Sequence, residues 1–327
     1  MKTSRKKHSV KDVARIADVS AGTVSRVFNR KGSVDIELQR KVCWVSREIG
    51  FKPKVNAPAI SLITNLEDFG ATVDYVSVMT NLLVRELMLR NIWVNLTDLH
   101  DLAQIHDPHT IGVIAMVANP LINELAAIPK LPVITLTKPM PELKFHSIRA
   151  DHQQQGRLAA EYLIKNGHKR IAFLGYDPNE WSSIERLKGY LEALTKAGLE
   201  QEDLLIQYSQ DSQLYDIIAR WIKRGVTAII NFDFKAPLEL THILNNVLEI
   251  KIGKDISVIG LEDFSIYHYL TPPQTTIIQP LQQIATQSIA ALLDKNGIAK
   301  LAGNASLIDI NLPSNLIERD SVVNLNN

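Results

Sequence analysis

Along residues 9–54, apolar side chains recur at three- and four-residue spacing in three short runs. From residue 60 onward the pattern changes to continuous apolar segments alternating with longer amphipathic ones. The first pattern predicts a small helical unit, and the second predicts strands wound with helices. Ser9 followed by Asp12 marks a helix start, the hydroxyl able to accept from a free backbone N–H and the carboxylate lying in the positive first turn. This helix runs to about Ala17 with Val10, Val13, Ala14 and Ala17 on one face. Asp18 and Val19 supply a tight turn, and Ser20 caps a second helix from Ala21 to about Phe28, with Val24, Val27 and Phe28 turned inward. After a loop at 30–34, Asp35 opens a third helix that ends near Ile49, with Gly50 as its C-cap. Leu38, Val42, Val45 and Ile49 can close a three-helix core. Two short helices joined by a tight turn and followed by a third make a helix-turn-helix.

In the remainder, strands are expected at 60–64, 92–96, 112–117, 133–136, 171–175, 204–208, 228–231 and 257–261. Helices are expected at 76–90, 155–166, 183–197, 213–224 and 281–294. Regular alternation of the two is the rhythm of parallel sheets flanked by helices, so the fold class is α/β with a helical N-terminal domain.

Charge sharpens this division. The net charge of the chain is only +1, but residues 1–54 hold 14 Lys and Arg against 5 Asp and Glu, a net +9, which leaves −8 for the rest. A basic head on an acidic body is suited to a polyanion. The outer face of the second helix carries Ala21, Gly22, Ser25, Arg26 and Asn29, small and polar enough to lie in a major groove, where Arg26 can donate two hydrogen bonds to a guanine edge. Double-stranded DNA is therefore the expected macromolecular partner. The single cysteine, Cys43, lies in an apolar helix pattern and reads as a packed thiol. No 18-residue apolar run occurs, so a membrane partner is not expected, and a reducing cytoplasm fits the cysteine usage.

The segment VKDVARIADVSAGTVSRVFN (10–29) resembles the opening of the lactose/galactose repressor family of bacterial regulators. DHQQQGRLAAEYLIKNGHKRIAFLG (151–175), ERLKGYLEALTKAGL (185–199), DISVIGLEDFS (255–265) and PPQTTI (272–277) resemble later parts of the same family, most closely the subgroup of the repressor of the evolved β-galactosidase. The resemblance implies a homodimeric (or tetrameric) transcription regulator. It also implies a two-lobed body like the periplasmic sugar-binding proteins, with a small effector, a galactoside-like sugar, in the cleft between lobes. It assigns Ala21, Gly22 and Arg26 to base edges, Ser20, Thr23, Ser25 and Asn29 to phosphates, and Lys11 to the groove edge. For the effector it indicates Arg186 of an E-R-x-x-G helix, Glu262, Asp233 in NFDFKAP, Tyr75, Asp151 and Trp181. Trp181 and Tyr75 equally suit core positions, and Asp151 equally suits a helix cap.

The expected boundaries are a head at 1–53, a linker at 54–59 and a body at 60–327. Lobe one takes about 60–167 and 280–304, and lobe two about 168–276 and 305–327. No cofactor is implied. Three features depart from the family pattern: Glu262 stands where an aspartate is usual, only one polar group of an Asn-Asp pair is retained near Asp233, and the linker KVNAPA is short, lacks leucine and contains Pro58. Such a linker predicts DNA binding without an apolar wedge in the minor groove. His100, His106 and His109 are irregularly spaced and read as solvent-exposed loop residues rather than a metal site. Three other functions compete with this reading. An enzyme lacks support, as no dinucleotide, Walker, nucleophile-elbow or zinc-helix motif is found. A cytoplasmic sugar-binding protein would not need the basic head, and a regulator with a degenerate pocket would retain the head but not the effector response.

Overall fold

The computed structural model describes residues 8–29, 31, 34–51, 58–65, 75–107, 109–199, 202–209, 213–233, 236–262, 268–294 and 307–326. Along the chain run α1 (Val10–Ala17), α2 (Ala21–Asn29), α3 (Ile36–Ile49), β1 (Ala59–Thr64), α4 (Tyr75–Met88), β2 (Trp93–Asp98), β3 (Thr110–Ala115), β4 (Val133–Thr135) and β5 (His146–Ala150). There follow α5 (His152–Lys165), β6 (Ile171–Gly175), α6 (Trp181–Lys196), β7 (Ile206–Tyr208), α7 (Leu214–Lys223), β8 (Ala228–Asn231), α8 (Pro237–His242), β9 (Ser257–Leu261), β10 (Thr275–Ile278), α9 (Leu281–Leu293), β11 (Asp309–Leu312) and β12 (Asn315–Ile317).

The head is built as its pattern predicts. Ser9 and Asp12 form a reciprocal capping box at the start of α1. Asp18 closes that helix in the left-handed conformation at φ 52°, one of the few non-glycine types that visit it readily. The Asp35 carboxylate accepts from the backbone of Glu37 and Leu38, and Gly50 ends α3 at φ 73°. Val13, Ala17, Val24, Val27, Phe28, Val42, Cys43 and Val45 are buried together, while Val10 and Ile49 pack only at the margin. Burial pushes the Cys43 thiol up to about 12.

Two compact units are present. One comprises Met1–Gly70, Tyr75–Arg149 and Leu281–Ile310, and the other includes Ala150–Pro280 and Asn311–Asn327. The first unit contains a six-stranded sheet in the order β11-β5-β4-β3-β1-β2, and the second a six-stranded sheet in the order β12-β10-β9-β8-β6-β7. Within each, the first strand in sequence lies between the second and third, all three parallel. The antiparallel partner of β10 is β12.

Several details differ from the sequence expectation. Helix α5, assigned by the boundary at 167 to the first lobe, belongs to the second unit. Its face Ala159, Ala160 and Leu163 is buried with Ile171, Phe173, Ala228 and Ile230, and no apolar stripe reveals which sheet a helix will choose. The strand β11, expected with the second lobe, lies in the first sheet. β5 is an added strand, hidden by its polar residues His146, Ser147 and Arg149, all buried. Between β2 and β3 the chain makes only a 3-10 turn at Leu102–His106. His109 is buried rather than exposed, because Asp107 accepts from its backbone N–H at 2.7 Å and lies 2.8 Å from its ring Nδ1. Linker residues 54–57 lie outside the described residues, and Ala59 already begins β1.

Candidate nucleic-acid interface and ligand-binding residues

On the head, α2 presents an exposed face made of Ala21, Gly22, Ser25, Arg26 and Asn29, with Lys11 exposed in the first turn of α1. Ser20 caps the helix by accepting the Thr23 backbone N–H at 3.0 Å, and the two hydroxyls lie 2.9 Å apart. Thr23 is accordingly buried, its hydroxyl oriented by Ser20. Arg26 Nη2 makes only a long 3.5 Å contact with Thr23 Oγ1, and Asn29 Nδ2 donates to the Ser25 carbonyl at 2.8 Å. The small residues at the positive end of α2 allow close approach to an anionic backbone, and a guanidinium stands out one turn further on.

In the second unit the sequence-selected residues converge around α5, α6 and the carboxyl ends of β8 and β9. The order β7-β6-β8 makes this end of the sheet a topological switch point, where α/β folds bind ligands. Arg186 is buried on α6. Its Nε donates to Gln155 Oε1 at 2.8 Å, its Nη1 donates to Ser182 Oγ at 3.1 Å, and its guanidinium carbon lies 5.6 Å from the centre of the Phe232 ring. The Trp181 ring meets His152 edge to face at 5.5 Å, and His152 Nδ1 is 3.1 Å from the same Gln155 oxygen. Asp233 follows Phe232. Its backbone N–H donates to Asn231 Oδ1 at 3.0 Å, and the Ser209 hydroxyl donates to its carboxylate. Asn231 and Asp233 are thus both present as a linked polar pair, spaced by the aromatic that Arg186 covers.

Glu262 lies at the end of β9, the strand next to β8, buried and in the left-handed conformation at φ 70°. Holding a non-glycine residue there costs on the order of 1 kcal/mol, the kind of local strain found at functional positions. Its carboxylate accepts from the side chain of Gln279. Asp151 accepts the Gln154 N–H at 2.9 Å and so serves as the N-cap of α5. Tyr75 belongs to the first unit, where it opens α4 and its hydroxyl donates to the Leu136 carbonyl at 3.5 Å.

Sequence reasoning missed His152, Gln155, Ser182, Ser209 and Phe232. The available signal was the polar run Asp151–Gln155 at a helix start. Such a run usually faces water, yet here both His152 and Gln155 are buried. A buried guanidinium, two aromatic rings and two carboxylates form a donor and acceptor set suited to a hydroxyl-rich ligand.

The model of bacterial regulatory proteins of the lacI family matches residues 9–54, and that of the periplasmic binding protein-like domain matches residues 160–322. The galactose regulator GalR of Escherichia coli (strain K12) is 25% identical over 336 residues, covering 96% of this chain and 95% of GalR. The chain carries a lacI-family DNA-binding domain and a periplasmic-binding-protein-like domain.

Two solved structures share the fold. A transcriptional regulator, CelR, in complex with cellobiose has a TM-score of 0.67 at 23% identity, covering 96% of this chain and all of that one. The lac repressor dimer bound to operator and an anti-inducer has a TM-score of 0.67 at 20% identity, covering 97% and all. The family match at 9–54 coincides with α1–α3, so the three-helix head is the part of the chain that matches bacterial regulatory proteins. No helix among the described residues is long and apolar enough to cross a membrane.

Proposed function

We propose that this lacI-family regulator represses transcription in the cytoplasm by binding a palindromic operator as a homodimer, under the control of a carbohydrate held at the carboxyl edge of the second sheet. The observation that carries the DNA half is the outer face of α2, exposed, small and polar around a projecting Arg26, on a helix whose other side is locked in the head core. In this reading Ala21, Gly22 and Arg26 face bases. Ser20, Thr23, Ser25 and Asn29 hold phosphates, with Lys11 at the groove edge. The effector is gripped by Arg186 and Asp233, stacked on Trp181 and limited in size by Glu262, while Asp151 shapes the site through its cap. The sugar chemistry is supported by the residue set around Arg186 and by the cellobiose bound to CelR. Self-association is supported by apolar side chains at one edge of the first unit: Met88, Leu89 and Trp93 are 67%, 73% and 66% exposed beside the edge strand β2.

Operator selection from random duplexes, followed by titration at fixed salt, tests the DNA half. Arg26→Ala is expected to relax preference at one base pair per half-site by about 1–3 kcal/mol. An unchanged base preference would remove Arg26 from the reading face. A thermal-shift screen of sugars tests the effector half. A sugar present at a hundred times its Kd should raise stability by about 2.7 kcal/mol in the native chain and not in Arg186→Met. Operator binding with no response to any sugar would favour a regulator whose pocket no longer takes one.

A further inference from the structure

Away from both surfaces, two cationic side chains seat α3 on the first unit from opposite directions. Arg47, in the last turn of α3, donates from Nη2 to the carbonyl of Thr110, the first residue of β3. Lys130, from the turn before β4, donates from Nζ to the carbonyl of Glu48 at 2.6 Å. Glu48 lies in the last turn of α3, where helix carbonyls are left open and a cation also gains from the helix dipole. The surface that receives Arg47 is itself fixed. Asp107 holds His109, and the His109 carbonyl accepts the N–H of Ala59 where the chain enters β1. Burial of Arg47 lowers its pKa, in keeping with a guanidinium sheltered in a junction rather than waving in solvent. Beside these two bonds, Gln39 and Arg40 of α3 face Asn95, His106 and Asp107 across a cavity of about 300 Å³. The head is thus docked through two bonds at the last turn of α3, with the gap nearer that helix's first turns, and the α2 face stays exposed while it is docked.

We propose that Arg47 and Lys130 are positioning residues for operator recognition. They clasp the head to the body, so that α2 projects from a fixed place on each subunit and the pair of subunits selects one distance between operator half-sites. This inference rests on the reading of a dimer on a two-fold operator. It gives a physical role to a short linker without leucine, because the clasp does by side-chain bonds what an ordered, wedge-bearing linker would otherwise do.

The test uses the full chain on operators whose half-sites are moved apart or together by one and two base pairs, with a single half-site duplex as reference. The native chain is expected to bind the best spacing at least about tenfold more tightly than its neighbours, since linked binding is lost when geometry forbids simultaneous engagement. Lys130→Met, which removes a donor from an exposed side chain, and Arg47→Met should each flatten this profile to within about threefold without changing half-site affinity, and Lys130→Arg should restore it. A full spacing preference in both methionine variants would overturn the inference, as would a loss of half-site affinity equal to the loss on the full operator. Failure of the native chain to prefer any DNA sequence would overturn the operator reading and the clasp with it.

Discussion

Gly156 and Gly189 press α5 and α6 together backbone to backbone, and a single methyl group tests how much depends on that closeness. A Cβ built on Gly189 would lie 1.8 Å from the carbonyl oxygen of Gln153, and one on Gly156 would lie 1.8 Å from the carbonyl oxygen of Arg186. Real Cβ atoms keep at least 3.0 Å, so Gly189→Ala must part the helices by 1.2 Å or more, with backbone on both sides unable to swing away. The same movement would draw the Arg186 Nε from Gln155, now 2.8 Å away, beyond hydrogen-bond range. Overpacking costs roughly 1–3 kcal/mol and a buried charge-assisted hydrogen bond about 1.5–3, offset by about 1 from the better helix propensity of alanine. The net loss is then about 1.5–5 kcal/mol, or a Tm lowered by roughly 3–20 °C in a domain of this size. Thermal unfolding followed by calorimetry on the full chain measures this. A Gly189→Ala protein as stable as the native one would refute the argument, since helix propensity would then have outweighed a clash that the geometry makes unavoidable.

Acid should weaken the body. Burial lowers the pKa of His146 and of His168; the His146 ring accepts the Ile308 N–H at Nδ1, as only a neutral imidazole can, and His168 Nδ1 lies 3.0 Å from the Thr227 hydroxyl. The unfolded chain binds these protons near the ordinary value of about 6.5 and the folded chain only at lower pH. Stability is therefore full above that value and lost as pH falls through the depressed folded values. Urea midpoints should drop between about pH 7.5 and 5.5, with a smaller drop in His168→Gln, and a flat profile would contradict the assignment. Cys43, with its thiol pushed up to about 12, should resist maleimide at about pH 8 until urea unfolds the head; rapid labelling of the native chain would count against the packed three-helix core.

Most elements were legible because their signals are local. The head could be read helix by helix, since Ser9, Asp12, Ser20, Asp35 and Gly50 are start and stop signals and the apolar spacing between them is helical. The strands at 171–175, 228–231 and 257–261 begin and end where their apolar runs do. What escaped depends on partners far along the chain. β5 buries His146 and Arg149 because Ile308 donates to the imidazole and Asp309 pairs with the guanidinium, and nothing near residue 146 announces either. Gln155 and His152, buried beside Arg186, escaped for the same reason. Gln155 is satisfied by Ser314 at 2.9 Å and by Arg186, so its burial is invisible from its own neighbours. Arg186, Asp233 and Glu262 were singled out through resemblance, and their surroundings needed coordinates.

The short stretch 309–317 supplies one outer strand to each sheet, β11 to the first and β12 to the second, with Ser314 between them bonded to both Gln154 and Gln155. A reading frame broken before residue 309 would therefore leave both halves of the body unfinished in the same event. Alleles interrupted there should behave genetically as complete knockouts, and inserted tags belong outside this stretch.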